Sequence, residues 1–493
     1  MNRIQLKLSP SRGVCKLCVF GVAGIVLLLG LTDASRAQTV SDVYAFNNSD
    51  SSQYPLATLV QGRDGRLYGS TTGLTDGSIF GLTTAGAFTE LFAFDGSDGA
   101  NPDAGLTLAV DGNFYGTSFT GGSAEYGVLF KITPSGTYTP LHEFEGSADG
   151  ELPSAPPIQA SDGNLYGTTR GNFGVEATVY KYNLASETFT TIYQFDGTHG
   201  QTVPAALTQG ADGNLYGTAQ GGGAYDCGTI FKMNRSGVIL YYYSFPCGTG
   251  GALPSAPLVQ ASDGNFYGTT FEGGVGQGQG DGTIFKMTQK GAVSILYSFK
   301  GGRDGASPNA GFVQATDGKL YGATGVGGTS GFGALFRITT AGAYELLYSF
   351  PQNIGKVPEY SLTQHTNGLF YGTAEGGGAN NYGAVYDLNM GLGPFVAFVI
   401  PTGGVGKSAQ ILGQGLTGTS SVTFNGIAAT SFKVLTDTYM TAVVPSGATT
   451  GPVIVTTPGG ALKSNKSFRI IGAASAARTK AVPLISHAAR KAN

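Results

Sequence analysis

The sequence predicts an all-β protein, a seven-bladed β-propeller followed by a small immunoglobulin-like β-sandwich, and three observations carry that prediction. First, Tyr-Gly recurs seven times, at Tyr68, Tyr115, Tyr166, Tyr216, Tyr267, Tyr321 and Tyr371, with intervals of 47, 51, 50, 51, 54 and 50 residues. A period near 50 marks a tandem array of one supersecondary unit. Second, glycine makes up 81 of 493 residues, and the glycines stand at fixed offsets beside aromatic and β-branched runs, the pattern of turns between short strands. Third, the period stops near Phe395, where shorter apolar runs punctuated by Gly and Pro take over.

The first 37 residues read as a leader. Arg3, Lys7, Arg12 and Lys16 precede the apolar run Val19 to Leu31, and Ala34-Ser-Arg-Ala37 offers small residues to a signal peptidase. The apolar run is too short to cross a bilayer core, which needs about 20 residues. Cys15 and Cys18 precede it, so neither stands where a lipoprotein cysteine is acylated. We expect export, with cleavage near Ala37-Gln38, to the extracellular space or the envelope surface, and no transmembrane anchor in the mature chain. The whole chain carries a net charge of −3, of which the leader contributes +4, so the mature chain stands at −7. The last 22 residues, from Gly472, hold Arg478, Lys480, Arg490 and Lys491 and no acid, which leaves −11 on the body. An acidic body without a basic stripe argues against nucleic acid as a partner. The tail 472–493 is expected to be a disordered basic end.

One repeat, from Leu253 to Phe299, shows the unit. A first strand, 253–261, opens at Pro254, a residue suited to a strand start because it has no N–H to donate. Asp263-Gly264 makes a tight hairpin turn, and Phe266–Thr270 is the second strand. A glycine-rich loop leads to the third strand, Thr283–Met287, and a turn at Gly291 leads to the fourth, 293–299. Proline opens the other copies at Pro55, Pro102, Pro153, Pro204, Pro308 and Pro358. Third strands pair large residues side by side, as in Ile230-Phe231 and Ile284-Phe285, which makes both faces apolar. Such strands belong to a sheet packed between neighbouring sheets.

Ring closure follows from the ends of the array. The seventh copy stops at Leu388 without its Leu-Tyr-Ser-Phe strand, and an orphan of that type, Val43-Tyr-Ala-Phe46, stands before the first copy. The orphan is expected to complete the last blade and remove an exposed edge. A solenoid would need distinct capping units, and none is visible. The propeller is placed at 41–392 and the sandwich at 394–471. The latter rests on strands near 409–415, 421–426, 439–445 and 451–457 at roughly ten-residue spacing.

The repeat Asp-Gly-Asn-Leu-Tyr-Gly-Thr, followed by Gly-Gly, Gly-Thr-Ile-Phe-Lys-Met and Leu-Tyr-Ser-Phe, resembles the Gloeo/Verruco-type tandem repeat of secreted bacterial proteins. The resemblance covers about 350 residues and implies no general activity. The segment after the ring resembles the IPT/TIG domains of extracellular bacterial proteins, found elsewhere in receptors and transcription factors. With a leader present, that likeness implies an extracellular accessory module.

The search for chemistry yields few candidates. His142, His199 and His365 fall at different offsets in different copies, which places no triad or zinc set together. No nucleophile elbow, zinc-protease helix or phosphate loop occurs, so no catalytic residue, metal ligand or cofactor is assigned. The Asp-Gly turns (Asp64, Asp111, Asp162, Asp212, Asp263, Asp317, with Asn367 in the last copy) are read as turn residues, since calcium needs several convergent oxygens. The loops around Asp95–Asp98 and Asp304 bring two oxygens closer together. Gln61, Gln159, Gln209, Gln260, Gln314 and Gln364 lie three residues before the turn residue, with Leu108 as the exception. They are expected either to satisfy backbone groups between blades or to form a polar collar around a ligand. Tyr126, Tyr225, Phe332 and Tyr382 fall on the glycine-rich loops of one rim, where they would stack on sugars or simply pack the loops. Cys227 and Cys247 bracket one hairpin and are expected to form a disulfide in an exported protein. The expected function is a non-enzymatic binding or structural protein, monomeric, with an extracellular glycan or protein as partner. The alternative is an extracellular carbohydrate-active hydrolase or lyase with acids and a basic residue gathered at one channel mouth.

Overall fold

The computed structural model describes residues 38–47, 52–73, 75–146, 149–171, 176–275, 280–351 and 357–471. The predicted leader 1–37 and basic tail 472–493 lie outside these residues. The described chain is all-β: it contains two short 3-10 turns, Gly248–Gly250 and Gly302–Asp304, and no α-helix.

The repeats build seven four-stranded antiparallel sheets in a propeller-like array. The first comprises Val60–Gln61, Leu67–Thr71, Ser78–Leu82 and Phe88–Ala93, and the fifth Val259–Gln260, Phe266–Thr270, Thr283–Met287 and Val293–Ser298. Six sheets run in chain order. In the seventh, the outer strand is Thr39–Ala45, paired antiparallel with Ala384–Asn389. The orphan segment thus fills the missing place, and its strand begins at Thr39 rather than Val43.

Burial follows position within the sheet. Second strands such as Leu67–Thr71 are buried throughout, third strands such as Thr283–Met287 nearly so, and fourth strands such as Val293–Ser298 are only partly buried. The first strands are shorter than the sequence predicts. Only Val259–Gln260 of the expected 253–261 stretch joins the ladder, because Pro254 and Pro257 have no N–H to contribute.

The Tyr-Gly pair has a steric and a polar cause. A Cβ on Gly116 would lie 2.6 Å from Phe130 Cζ, and one on Gly268 would lie 2.5 Å from Phe285 Cζ. The third-strand aromatic occupies the space above each of these glycines. The preceding tyrosines are buried, and their hydroxyls donate to the turn carboxylates: Tyr68 to Asp64 at 2.7 Å, Tyr166 to Asp162 at 2.9 Å, Tyr267 to Asp263 at 2.7 Å. The other carboxylate oxygen accepts the backbone N–H two residues on, as Asn265 N gives to Asp263 Oδ1 at 3.0 Å. The turn aspartates are accounted for by this double role.

The ends of the array meet through the same bonds that join consecutive sheets. Thr168, Thr218 and Thr269 donate to the carbonyls of Ala205, Ala256 and Ala310 in the next sheet, and Thr373 donates to Ala57 of the first at 2.9 Å. Cys227 and Cys247 form the expected disulfide, Cα–Cα 5.5 Å, across the base of the hairpin between Thr229–Met233 and Ile239–Ser244.

Beyond the repeats, two four-stranded sheets share one core. One holds Ala397–Phe398, Ser408–Leu412, Tyr439–Val443 and Phe432–Thr436; the other holds Ile427–Ala428, Ser421–Phe424, Val453–Thr457 and Gly460–Lys463. Ile411 and Met440 meet Phe424, Val453 and Val455 between them, all within 1% of full burial. A short parallel pair, Thr402–Gly403 with Arg469–Ile470, lies beside them.

Candidate functional site

The six glutamines end the first strands, and the structure fixes each amide to the preceding sheet. Gln159 Oε1 accepts from Val110 N at 2.9 Å, Gln209 from Ser161 N at 2.9 Å, and Gln260 from Ala211 N at 2.7 Å. Gln314 and Gln364 do the same with Ser262 N and Thr316 N. Gln61 accepts from Thr366 N at 3.0 Å, which joins the first sheet to the seventh. The amide nitrogens of Gln159, Gln209 and Gln260 reach their own hairpins, at Gly163 O, Gly213 O and Gly264 O. Satisfying backbone groups between sheets is therefore what these amides do. Each of these three nitrogens keeps a second proton with no acceptor among the described residues.

The junction between the first and second sheets breaks the series. Leu108 replaces glutamine there, and the C-terminal module docks at that place. Leu108 packs with Leu106, Phe114, Ile132, Leu412 and Tyr439 in one buried cluster. Arg63 lies over the Tyr439 ring at 4.6 Å and donates to Gln410 Oε1 at 2.7 Å, while Thr438 Oγ1 donates to Arg63 O at 2.7 Å. Gln414 Nε2 reaches Thr366 Oγ1 at 2.9 Å, and Phe395 N reaches Thr366 O at 3.0 Å. On the far side, Arg469 Nη1 donates to Ala211 O of the fourth sheet.

Between these anchors lies a cavity of about 1010 Å³. One wall is the glutamine end of the repeat sheets, and the other is the module, which contributes Lys463, Lys466 and Arg469. The described lining contains no acidic residue. Lys466 is exposed on the cavity wall, and desolvation pulls its ammonium below the ordinary lysine range. Arg469 is lowered by the same cause, and its Nε is buried without a protein acceptor.

The opposite end of the first strands carries a different set. Counted back four places from the glutamine position, six copies have alanine (Ala57, Ala104, Ala155, Ala205, Ala256, Ala310) and the seventh has Tyr360. One place earlier stand Asp103 and Glu359, the only acids at that position. Burial pushes the Asp103 carboxyl up to about 7, and Arg170 offsets part of the effect. Its Oδ1 is buried with no hydrogen-bond partner. Tyr360 is held well above the usual tyrosine range by burial first, then by Asp103, Glu359 and Glu375. No histidine or short motif marks these residues; Tyr360 departs from a position that is alanine in the other six copies, and Asp103 and Glu359 are the acids of the position before it.

The remaining candidates do not converge. His142 Nε2 lies 2.8 Å from Asp149 and its ring stacks on Phe189; His199 lies 3.1 Å from Asp196. His365 is buried, donates from Nε2 to Gly65 O at 3.0 Å, and is lowered by desolvation. Asp95 and Asp98 hold each other's loop, and Asp304 accepts from Tyr297 at 2.7 Å. Of the rim aromatics, Tyr126 and Tyr225 are exposed, whereas Phe332 is partly buried against the core and Tyr382 packs edge-on to Tyr54. They do not form a uniform stacking row.

The Gloeobacter/Verrucomicrobia repeat matches the chain three times, at residues 30–177, 147–313 and 275–430. No curated protein matches it. Among solved structures, a fungal alcohol oxidase of the AA5 family in complex with copper is similar at a TM-score of 0.48 and 15% identity, over 88% of this chain and 99% of that one. The oligogalacturonate lyase of Vibrio parahaemolyticus gives 0.44 and 12%, over 72% and 97%. The GH74 enzyme of Niastella koreensis gives 0.47 and 12%, over 85% and 65%. Likenesses this distant assign no activity to the chain.

Proposed function

As the chain belongs to the Gloeobacter/Verrucomicrobia repeat family, we propose that it is a secreted or cell-surface recognition protein without catalytic activity. In this reading the seven repeat sheets are the blades of a closed β-propeller. The C-terminal module is an immunoglobulin-like sandwich of IPT/TIG type, and the protein acts as a monomer. The observation that carries it is the cavity between the glutamine end and the module. Its walls offer hydrogen-bond donors and cations, a lining suited to holding a ligand. Its described lining holds no carboxylate. A panel of extracellular glycans and peptides, assayed in parallel for binding and for turnover, tests this. Saturable binding without product is expected; product formed at a rate proportional to protein would overturn it.

A second reading, a carbohydrate-active hydrolase or lyase, is favoured by Asp103. A carboxyl raised to about 7, acting on Tyr360 and offset in part by Arg170, has the protonation behaviour of a general acid. If turnover is found, Asp103→Asn and Tyr360→Phe would abolish it under this reading. Turnover unchanged in both variants would exclude this site as its source.

A further inference from the structure

We propose that the cavity between the glutamine end of the repeats and the C-terminal module binds an acidic saccharide, with Lys466 and Arg469 taking its negative charge. The inference rests on the recognition reading above and names its ligand class.

The first ground is charge. The body of the protein is acidic, yet the cavity gathers Lys463, Lys466 and Arg469 with no acid in its described lining. Two described lysines are paired with carboxylates, Lys232 with Asp212 at 2.8 Å and Lys286 with Asp263 at 3.2 Å. Lys466 has no such partner among the described residues. The acid whose charge acts on Arg469 is Asp212, which is already held by Lys232 and the Tyr216 hydroxyl. Lys466 and Arg469 therefore present charge to the cavity that no acid of its described lining neutralises, which an incoming anion can take.

The second ground is that donors outnumber what a bare anion would use. Gln159, Gln209 and Gln260 each present an amide proton without a protein acceptor, at equivalent places on successive sheets. Ser262, Thr316 and Ser467 add hydroxyls to the lining. Carbohydrate hydroxyls accept and donate in the way such a surface requires. The third ground is size and wall character. About 1010 Å³ is the volume of a ligand of several rings rather than of an inorganic ion. Ile158, Leu258 and Val259 supply apolar patches against which the C–H faces of a pyranose pack.

Titration calorimetry on the purified full chain tests the assignment with three probes: a uronic acid disaccharide, its neutral hexose counterpart, and inorganic sulfate. The uronate disaccharide should bind at least tenfold more tightly than either of the others. Lys466→Met, which keeps the apolar stem and removes the charge, should weaken that binding about tenfold with an unchanged melting temperature. Gln260→Leu serves as a second variant and should weaken both disaccharides alike. Equal affinity for acidic and neutral disaccharides overturns the charge assignment and leaves the recognition reading standing. Sulfate binding as tightly as the disaccharide overturns the saccharide assignment. Undiminished binding to Lys466→Met, or no binding of the uronate disaccharide, overturns the site. Conversion of the disaccharide to product would instead refute the non-catalytic reading while the affinity ratios still decide this one.

Discussion

Leu108→Gln would restore the residue that the other six copies carry, and substitutions toward a repeat consensus ordinarily stabilise. Here the opposite is expected. Leu108 is 8% exposed and packs against Leu412 and Tyr439 of the C-terminal module. Removing its side chain from that cluster forfeits about 2 kcal/mol of burial. The glutamine amide that replaces it has one partner waiting, the Arg63 N–H, which corresponds to the Thr366 and Val110 donors at other junctions. That bond returns about 1 kcal/mol. The remaining donors and acceptors of the amide would be buried against Tyr439 and Phe114 and would cost about 1–3 kcal/mol. The net loss is about 2–4 kcal/mol, concentrated at the docking surface rather than within any one sheet. Calorimetric melting should therefore show earlier release of the C-terminal module. Limited proteolysis should also cut faster in the connection between Asn389 and Ala397. Leu108→Ala, which lacks the compensating bond but adds no buried amide, should fall in the same range. A Leu108→Gln protein as stable as the parent, with unchanged proteolysis, would refute the claim that this departure exists to seat the module.

Two further outcomes follow from the geometry. Asp103→Asn should raise stability in a pH-dependent way: the folded carboxyl sits near 7 against an ordinary 3.8, so the native state favours the proton. The native carboxyl thus contributes fully below pH 4, and its contribution is lost as pH rises through 7. The variant should gain up to about 4 kcal/mol at pH 8 and nothing at pH 4; equal gains at both pH values in thermal melts would show that the carboxyl is not desolvated. Cys227→Ser with Cys247→Ser opens a loop of 20 residues' separation and should cost about 3 kcal/mol. A denaturant midpoint unmoved by the pair, or by reductant, would show that the bond constrains nothing.

Much of the architecture was legible because each repeat position is set by local chemistry. Asp-Gly needs a turn, the tyrosine hydroxyl needs the aspartate, and the third-strand aromatic needs the glycine. The orphan strand was readable because its pattern matched a gap at the other end of the array. Local pattern failed where pairing or docking decides. The first strands look nine residues long, but their prolines hold most of that stretch out of the ladder. Phe432–Thr436 escaped notice as a strand because it is mostly exposed and lacks clean alternation. Lys466 sits in the sequence Ser-Asn-Lys-Ser, which reads as a polar turn. It becomes a cavity residue only when the module is laid across the ring, and no spacing encodes that contact.

The regular positions explain why the candidate sites lie elsewhere. A repeated glutamine whose oxygen closes the junction to the preceding sheet has only part of its amide left for a ligand. A repeated aspartate held by a tyrosine hydroxyl and a backbone N–H has little more. Most of the polar capacity of the period is consumed in holding sheet to sheet, so unsatisfied polar groups gather where the period fails. At Leu108 the failure admits the module, and the module brings three cations to one end of the first strands. At Tyr360, with Asp103 and Glu359 one place earlier in their copies, it puts a phenol and two carboxyls at the other end, among residues that are otherwise small. The cavity wall thus gathers cations with no acid in its described lining, whereas the other end gathers carboxyls around Tyr360. A negatively charged ligand is drawn to the cavity cations and repelled by the carboxyls at the other end, so under the two proposed readings ligand charge is what would separate binding at the cavity from turnover at Asp103.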